Sequence, residues 1–181
     1  MNKQLWIIAG GNGSGKTDFF NRYLKPLGLS FVNADLLAKE LTEKVDSAVS
    51  KKAQQIAWDS CLQKIEADET FCFETVFSHE SKIGLISLAK DKDYTVNLIF
   101  IHLSVFQLNI ARVAKRVKNG GHSVPQEKIE TRITRTLLNV QKAIRLVDQA
   151  RLVDNSSTED RFKTVATIKN KLKAKRVEIY F

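Results

Sequence analysis

Gly10-Gly11-Asn12-Gly13-Ser14-Gly15-Lys16-Thr17 follows directly on the apolar run Leu5-Trp6-Ile7-Ile8-Ala9. Together they dictate a strand, a tight loop and a helix. An apolar run with no polar break is the pattern of a strand buried on both faces of a parallel sheet. The glycines let backbone N–H groups turn toward an anion without a Cβ in the way. The G-x4-G-K-[ST] spacing adds a helix N-terminus, a lysine within reach of β- and γ-phosphates, and a hydroxyl able to ligate Mg²⁺. Gly10 to Thr17 is therefore the expected ATP site, with Lys16 also catalytic and Thr17 the metal ligand.

The rest of the chain repeats the alternation. Strands are predicted at Ser30–Asn33, Thr70–Phe73, Thr95–Leu103 and Arg151–Asp154, with Phe162–Ile168 a candidate sixth. Between them, Val49, Ala53, Ile56, Ala57, Cys61 and Ile65 fall on one helical face. Ile129, Ile133, Val140, Ile144 and Val147 form a second stripe, read as one long helix after Pro125. Strands alternating with helices predict a three-layer α/β P-loop kinase-like fold, a mostly parallel sheet flanked by helices. The 181 residues hold no repeat or Pro/Gly/Ser linker, so one domain over residues 1–181 is expected. Two cysteines exclude a disulfide framework and a four-cysteine zinc site. No apolar run is long enough for a signal core or a membrane span, so a cytoplasmic protein away from the membrane is expected.

The net charge of +9 invites a nucleic-acid reading, and its distribution argues against one. Residues 161–181 carry +6 and residues 112–135 carry +5, leaving a slightly acidic body at −2. In the second block, Arg112 and Arg116 are four apart, and Arg132 and Arg135 three apart, each pair expected on one helical face. Between them runs Asn119-Gly120-Gly121-His122-Ser123-Val124-Pro125. Two arginine-bearing helices on a glycine hinge describe a lid over about 112–135, closing on a triphosphate whose oxygens suit the planar guanidinium fork. His122 would add a contact to phosphate or substrate. The basic segment 161–181 reads as an edge strand or a closing helix with a solvated face.

Two acids close predicted strands where ligands bind in such sheets. Asp35 follows Phe31-Val32-Asn33-Ala34, and Glu74 follows Phe71-Cys72-Phe73 with Thr75 next. A carboxylate there can take the proton of an acceptor hydroxyl in line with the γ-phosphate. Asp35 is read as that base, as a partner of Thr17 at Mg²⁺ (directly or through water), and equally as a helix N-cap. Asp35, Glu74, Thr75 and His122 make up the expected substrate side. No acid follows Thr95–Leu103 and no LSGGQ-like string occurs, which disfavours a motor or transport ATPase.

The strings AGGNGSGKT, FVNAD, FCFETVFSHESK, RVAKRVKNGGHSVP, ETRITR and LVDNS resemble the zeta-toxin-like P-loop kinases, over Leu5 to about Ser156. They are most similar to the compact chromosomal branch often labelled predicted ABC-type ATPase, a label these residues do not support. The resemblance implies transfer of the ATP γ-phosphate to a hydroxyl of a UDP-activated amino sugar, especially UDP-N-acetylglucosamine, and restraint by a small antitoxin. It carries Lys16 and Thr17 onto the phosphate loop, Asp35 onto the base and Glu74 onto the substrate-contacting acid. Larger zeta toxins have a lid arginine three residues before a proline, where this chain has His122 before Pro125. Which of Arg112, Arg116, Arg132 and Arg135 meets the γ-phosphate therefore stays open. The alternatives are a nucleotide or polynucleotide-end kinase and an ATP-gated nucleic-acid-binding module, although nucleic acid is not the expected partner.

Overall fold

A computed structural model describes residues 3–42, 45–118, 124–171 and 176–180. The apolar run becomes β1 (Gln4–Ala9), whose Leu5, Ile7, Ile8 and Ala9 are fully buried. After the glycine loop, α1 (Lys16–Phe19) runs on as a π-helical turn at Phe20–Leu24 and a 3-10 turn at Lys25–Leu27. Next come β2 (Ser30–Asn33), α2 (Ala34–Leu41), α3 (Ser47–Glu66) and β3 (Phe71–Thr75). Then follow α4 (Ser81–Asp91), β4 (Thr95–His102), α5 (Phe106–Lys118) and α6 (Gln126–Ala143). The chain closes with β5 (Gln149–Asp154), β6 (Lys163–Lys171) and β7 (Arg176–Tyr180).

The seven strands lie in the order β2-β3-β1-β4-β5-β6-β7. The first five are parallel, and β6 and β7 add an antiparallel edge. Alternate residues of β1 feed opposite layers. Leu5, Ile7 and Ala9 join Phe73, Leu85, Ile86 and Val140 on one face, while Ile8 joins Phe19, Phe20, Ile99 and Phe162 on the other. Both faces are covered, which is the three-layer arrangement expected, and the fold is P-loop kinase-like. No helix among the described residues is long and apolar enough to cross a membrane.

Three boundaries differ from expectation for identifiable reasons. The stripe ending in Ile144 and Val147 outlasts its helix. α6 stops at Ala143, and Val147, fully buried, continues the same face from the turn beyond. β3 runs to Thr75, so Glu74 lies within the strand instead of closing it. The basic end pairs as two strands; in β6, Ala166 and Ile168 are buried while Val165 and Lys169 face out, the period of two that a half-solvated edge requires.

The sheet end opposite the glycine loop is fastened by Asp148. Its carboxylate accepts from the Val96 N–H at 2.7 Å and from Lys90 Nζ at 2.7 and 2.8 Å. Asp148→Ala leaves both donors short of a partner and is expected to cost about 1–3 kcal/mol in urea unfolding. ATP affinity should not change, because the lesion sits at the far ends of β4 and β5.

Candidate phosphotransfer site

The loop after β1 is shaped by backbone that only glycine tolerates. Gly13 and Gly15 have φ of +78° and +95°. A Cβ on Gly13 would stand 2.8 Å from the Asn109 carbonyl oxygen, and one on Gly15 would stand 2.5 Å from Asn155 Nδ2. Those neighbours also hold the loop. Asn109 Nδ2 donates to the Asn12 carbonyl at 2.7 Å, and Asn155 Nδ2 to the Ser14 carbonyl at 2.8 Å, all of it buried. Two loop atoms, Asn12 Oδ1 and Ser14 Oγ, are buried with no hydrogen-bond partner. Buried polar atoms normally find one; the Ser14 hydroxyl can donate to a phosphate oxygen, whereas Asn12 Oδ1 only accepts.

Neither asparagine was expected to carry this role. Asn109 sits four residues before buried Val113 on α5, and a polar residue at a core position of a helix is the one signal it gives. Asn155 directly follows the last central strand. Asn155→Ala strips the Ser14 carbonyl of its partner in a fully buried position. It is expected to lower stability by about 1–3 kcal/mol and to weaken ATP binding severalfold, read by denaturation and nucleotide titration.

Glu74 is drawn onto the loop. Its Oε2 accepts from the Thr17 hydroxyl at 2.7 Å and from Asn33 Nδ2 at 2.7 Å, and its Oε1 is 3.8 Å from Lys16 Nζ. Register explains this, since Glu74 stands opposite Ile8 of β1 on one side and Asn33 of β2 on the other. Burial pushes the Glu74 carboxyl above its ordinary value, opposed by Lys16 and by the bonds from Thr17 and Asn33. Lys16 Nζ itself donates to the Gly11 carbonyl at 3.2 Å, and its side chain is only 7% exposed.

The acid bonded to the Thr17 hydroxyl is Glu74. Asp35 lies in the first turn of α2, with Arg116 Nη1 3.9 Å from its Oδ2. It does not cap that helix either. Asn33 Oδ1 accepts from the Asp35 and Leu36 N–H groups at 2.7 and 3.1 Å. Both acids line one cleft of about 400 Å³, together with Lys16, Thr17 and Thr75.

The four arginines separate. Arg116 and Arg132 line the cleft from α5 and α6. Arg112 does not; it donates to the carbonyls of Asn155 and Ser156 at 2.8 and 3.4 Å, tying α5 to the loop after β5. Arg135 is exposed and off the cleft wall. A spacing of three or four gives a shared face, but the neighbours of each turn decide what that face meets. His122 lies outside the described residues. Sequence reasoning missed three further wall residues, Gln54, His79 and Lys82. α6 holds this wall, for Thr136 Oγ1 donates to the Val76 carbonyl at 2.7 Å and Asn139 Nδ2 to the Phe77 carbonyl at 3.0 Å.

Comparison with known proteins agrees with this architecture. The family model described as an AAA domain matches residues 5–137. An uncharacterized protein of Haemophilus influenzae is 26% identical over 145 residues, covering 73% of this chain and 99% of that protein. Among solved structures, the AvrRxo1-ORF1:-ORF2 structure with ATP superposes with a TM-score of 0.72 at 17% identity. The match covers 93% of this chain but 59% of that one, so the chain spans about three fifths of its length. The PezAT chromosomal toxin-antitoxin system of Streptococcus pneumoniae superposes with a TM-score of 0.66 at 13% identity, over 90% of this chain and 71% of that one. At such identities the likeness is one of fold.

Proposed function

The chain belongs to the AAA domain family, and from that premise we propose that it is an ATP-dependent zeta-toxin-like kinase. In this reading it is a single kinase domain that phosphorylates a hydroxyl of a UDP-activated amino sugar, UDP-N-acetylglucosamine first among them. The observation that carries the reading is the division of labour between two acids in one cleft. Glu74 is bound to Thr17 and faces Lys16, whereas Asp35 stands apart on α2 beside Arg116. A triphosphate on the loop leaves Asp35 for the acceptor.

In the proposed reaction, the loop N–H groups and Lys16 hold the β- and γ-phosphates, and Asn12 and Ser14 supply further polar contacts. Asp35 takes the proton of the acceptor hydroxyl as that oxygen bonds to the γ-phosphorus and the bond to the ADP oxygen breaks. Arg116 and Arg132 neutralise the charge spreading over the transferred group. Among the described residues no cluster of three or more His, Cys, Asp or Glu side chains could hold a metal. The donors that fit Mg²⁺ are all oxygen, namely the Thr17 hydroxyl, with its hydrogen given to Glu74, and Glu74 itself; phosphates and waters complete such a shell. When bound, the ion would supply charge neutralisation between the β- and γ-phosphates.

The test is incubation with Mg-ATP and a pool of UDP-sugars alongside polynucleotide ends, with the products weighed. One phosphate gained by a UDP-amino sugar is the expected result. Phosphate appearing only on polynucleotide ends would replace this reading with that of an end kinase. The PezAT likeness supports an antitoxin as partner, a proposal that co-expression with the neighbouring reading frame would check.

A further inference from the structure

Phe77, in the turn between β3 and α4, has φ of +64°. Such left-handed backbone is rare for a bulky residue, and its cost persists only where the surroundings impose it. Phe77 is 1% exposed and packs in one core cluster with Val140 and Ala143 of α6. It and its neighbours, from Thr75 to His79, line the cleft. Strained residues held under a site wall recur where that wall must keep one shape.

The constraint comes from α6. Asn139 Nδ2 donates to the Phe77 carbonyl at 3.0 Å, with both residues buried. The Thr136 hydroxyl lies 2.7 Å from the carbonyls of both Val76 and Arg132 and has one hydrogen for the two. Lys142 Nζ donates to Glu80 Oε1 at 2.6 Å. Thr136, Asn139 and Lys142 are three apart, so one edge of α6 meets the turn at Val76, Phe77 and Glu80 in succession. From within the turn, the Thr75 hydroxyl accepts from the Phe77 N–H at 3.1 Å. The Lys142–Glu80 pair is exposed and contributes little. Asn139 thus supplies the one buried, undivided bond of the three. Arg132 stands one turn before Thr136 on the same helix and lines the same cleft.

We propose that Asn139 is a positioning residue for the transfer: it holds Phe77 in its left-handed conformation and so fixes the cleft wall from Thr75 to His79 against the helix that carries Arg132. Asn139 does not itself line the cleft, so it acts through the turn. The role rests on the assignment of this cleft to phosphoryl transfer made above.

Two comparisons test it. Phe77→Gly and Phe77→Ala both remove the ring, but only glycine is at ease at this φ. In urea unfolding the glycine variant should keep a folding equilibrium about fivefold more favourable than the alanine variant, the reverse of the ordinary order. Asn139→Ala should bind Mg²⁺ and a non-hydrolysable ATP analogue as the parent does, which shows it folded, while the amides of residues 76–79 exchange with deuterium about tenfold faster. On the UDP-sugar that accepts phosphate, its turnover should fall about tenfold to a hundredfold with KM for ATP unchanged. Lys142→Ala, which loses only the exposed neighbouring contact, should match the parent in exchange and turnover. Parental turnover or parental exchange in Asn139→Ala overturns the assignment, as does a Phe77→Ala variant as stable as Phe77→Gly. If the parent phosphorylates polynucleotide ends and no UDP-sugar, turnover is compared on those ends. A fall there keeps Asn139 and removes the sugar reading alone.

Discussion

Asp35→Asn is expected to lower turnover by about a thousandfold, within the range of a lost general base, while ATP affinity stays within about twofold. Size and polarity persist in asparagine, so α2 should not move; its first turn is capped by Asn33 and does not use the Asp35 carboxylate. What disappears is the proposed proton acceptor and the partner of Arg116 at 3.9 Å. Rapid-quench turnover and nucleotide titration on the same preparation separate the two effects. Near-parental turnover would remove Asp35 as base. A matched loss of ATP affinity would instead assign it to the loop.

Glu74→Gln tests the other acid and has a signature in pH. The folded-state pKa of Glu74 is raised by burial, so its ionised form is penalised by folding. That penalty is present in full above the folded pKa. It is relieved as pH falls through the folded pKa toward the unfolded value, and is gone below it. Glutamine mimics the protonated state, so the variant should be at least as stable as the parent at neutral pH. It should also lack the parent's gain in stability on mild acidification. Turnover is expected to fall by about a hundredfold or more, as when one preorganised electrostatic group is lost. Mg-free ATP should bind more tightly, because a negative charge beside Lys16 and Thr17 has gone, and added Mg²⁺ should help less. Thermal melts from pH 4 to 8 and titrations with and without Mg²⁺ read each arm.

The sequence carried much of this arrangement. The unbroken apolar runs of β1 and β4 and the glycine spacing specify parallel strands around a phosphate loop, since few other structures bury such runs. That Asp35 and Glu74 fall near the carboxyl ends of β2 and β3 follows from the same pattern. Their division of labour does not, because it depends on β3 lying between β2 and β1 and so setting Glu74 beside Asn33 and Ile8. Arg112 and Arg116 share a helical period but not a fate, as Asn155 and Ser156 capture the first. Asn109, Asn139 and Asn155 act through contacts distant in the chain, which no local spacing announces. β6 was half legible; β7, Arg176-Val177-Glu178-Ile179-Tyr180, keeps a period of two, but over five residues that pattern does not part it from the closing helix also read for the basic end.

Asn33 has a consequence for how such a chain can change over generations. Its oxygen caps α2 and its nitrogen holds Glu74. Aspartate would keep the cap but turn a donor into a second negative charge against Glu74; serine would keep the cap and lose the reach. A leucine would forfeit both. Selection for a folded helix and selection for a positioned acid thus fall on one codon, where neither can drift without the other. A revertant screen starting from Asn33→Asp should recover activity through changes at position 74 or through return to asparagine.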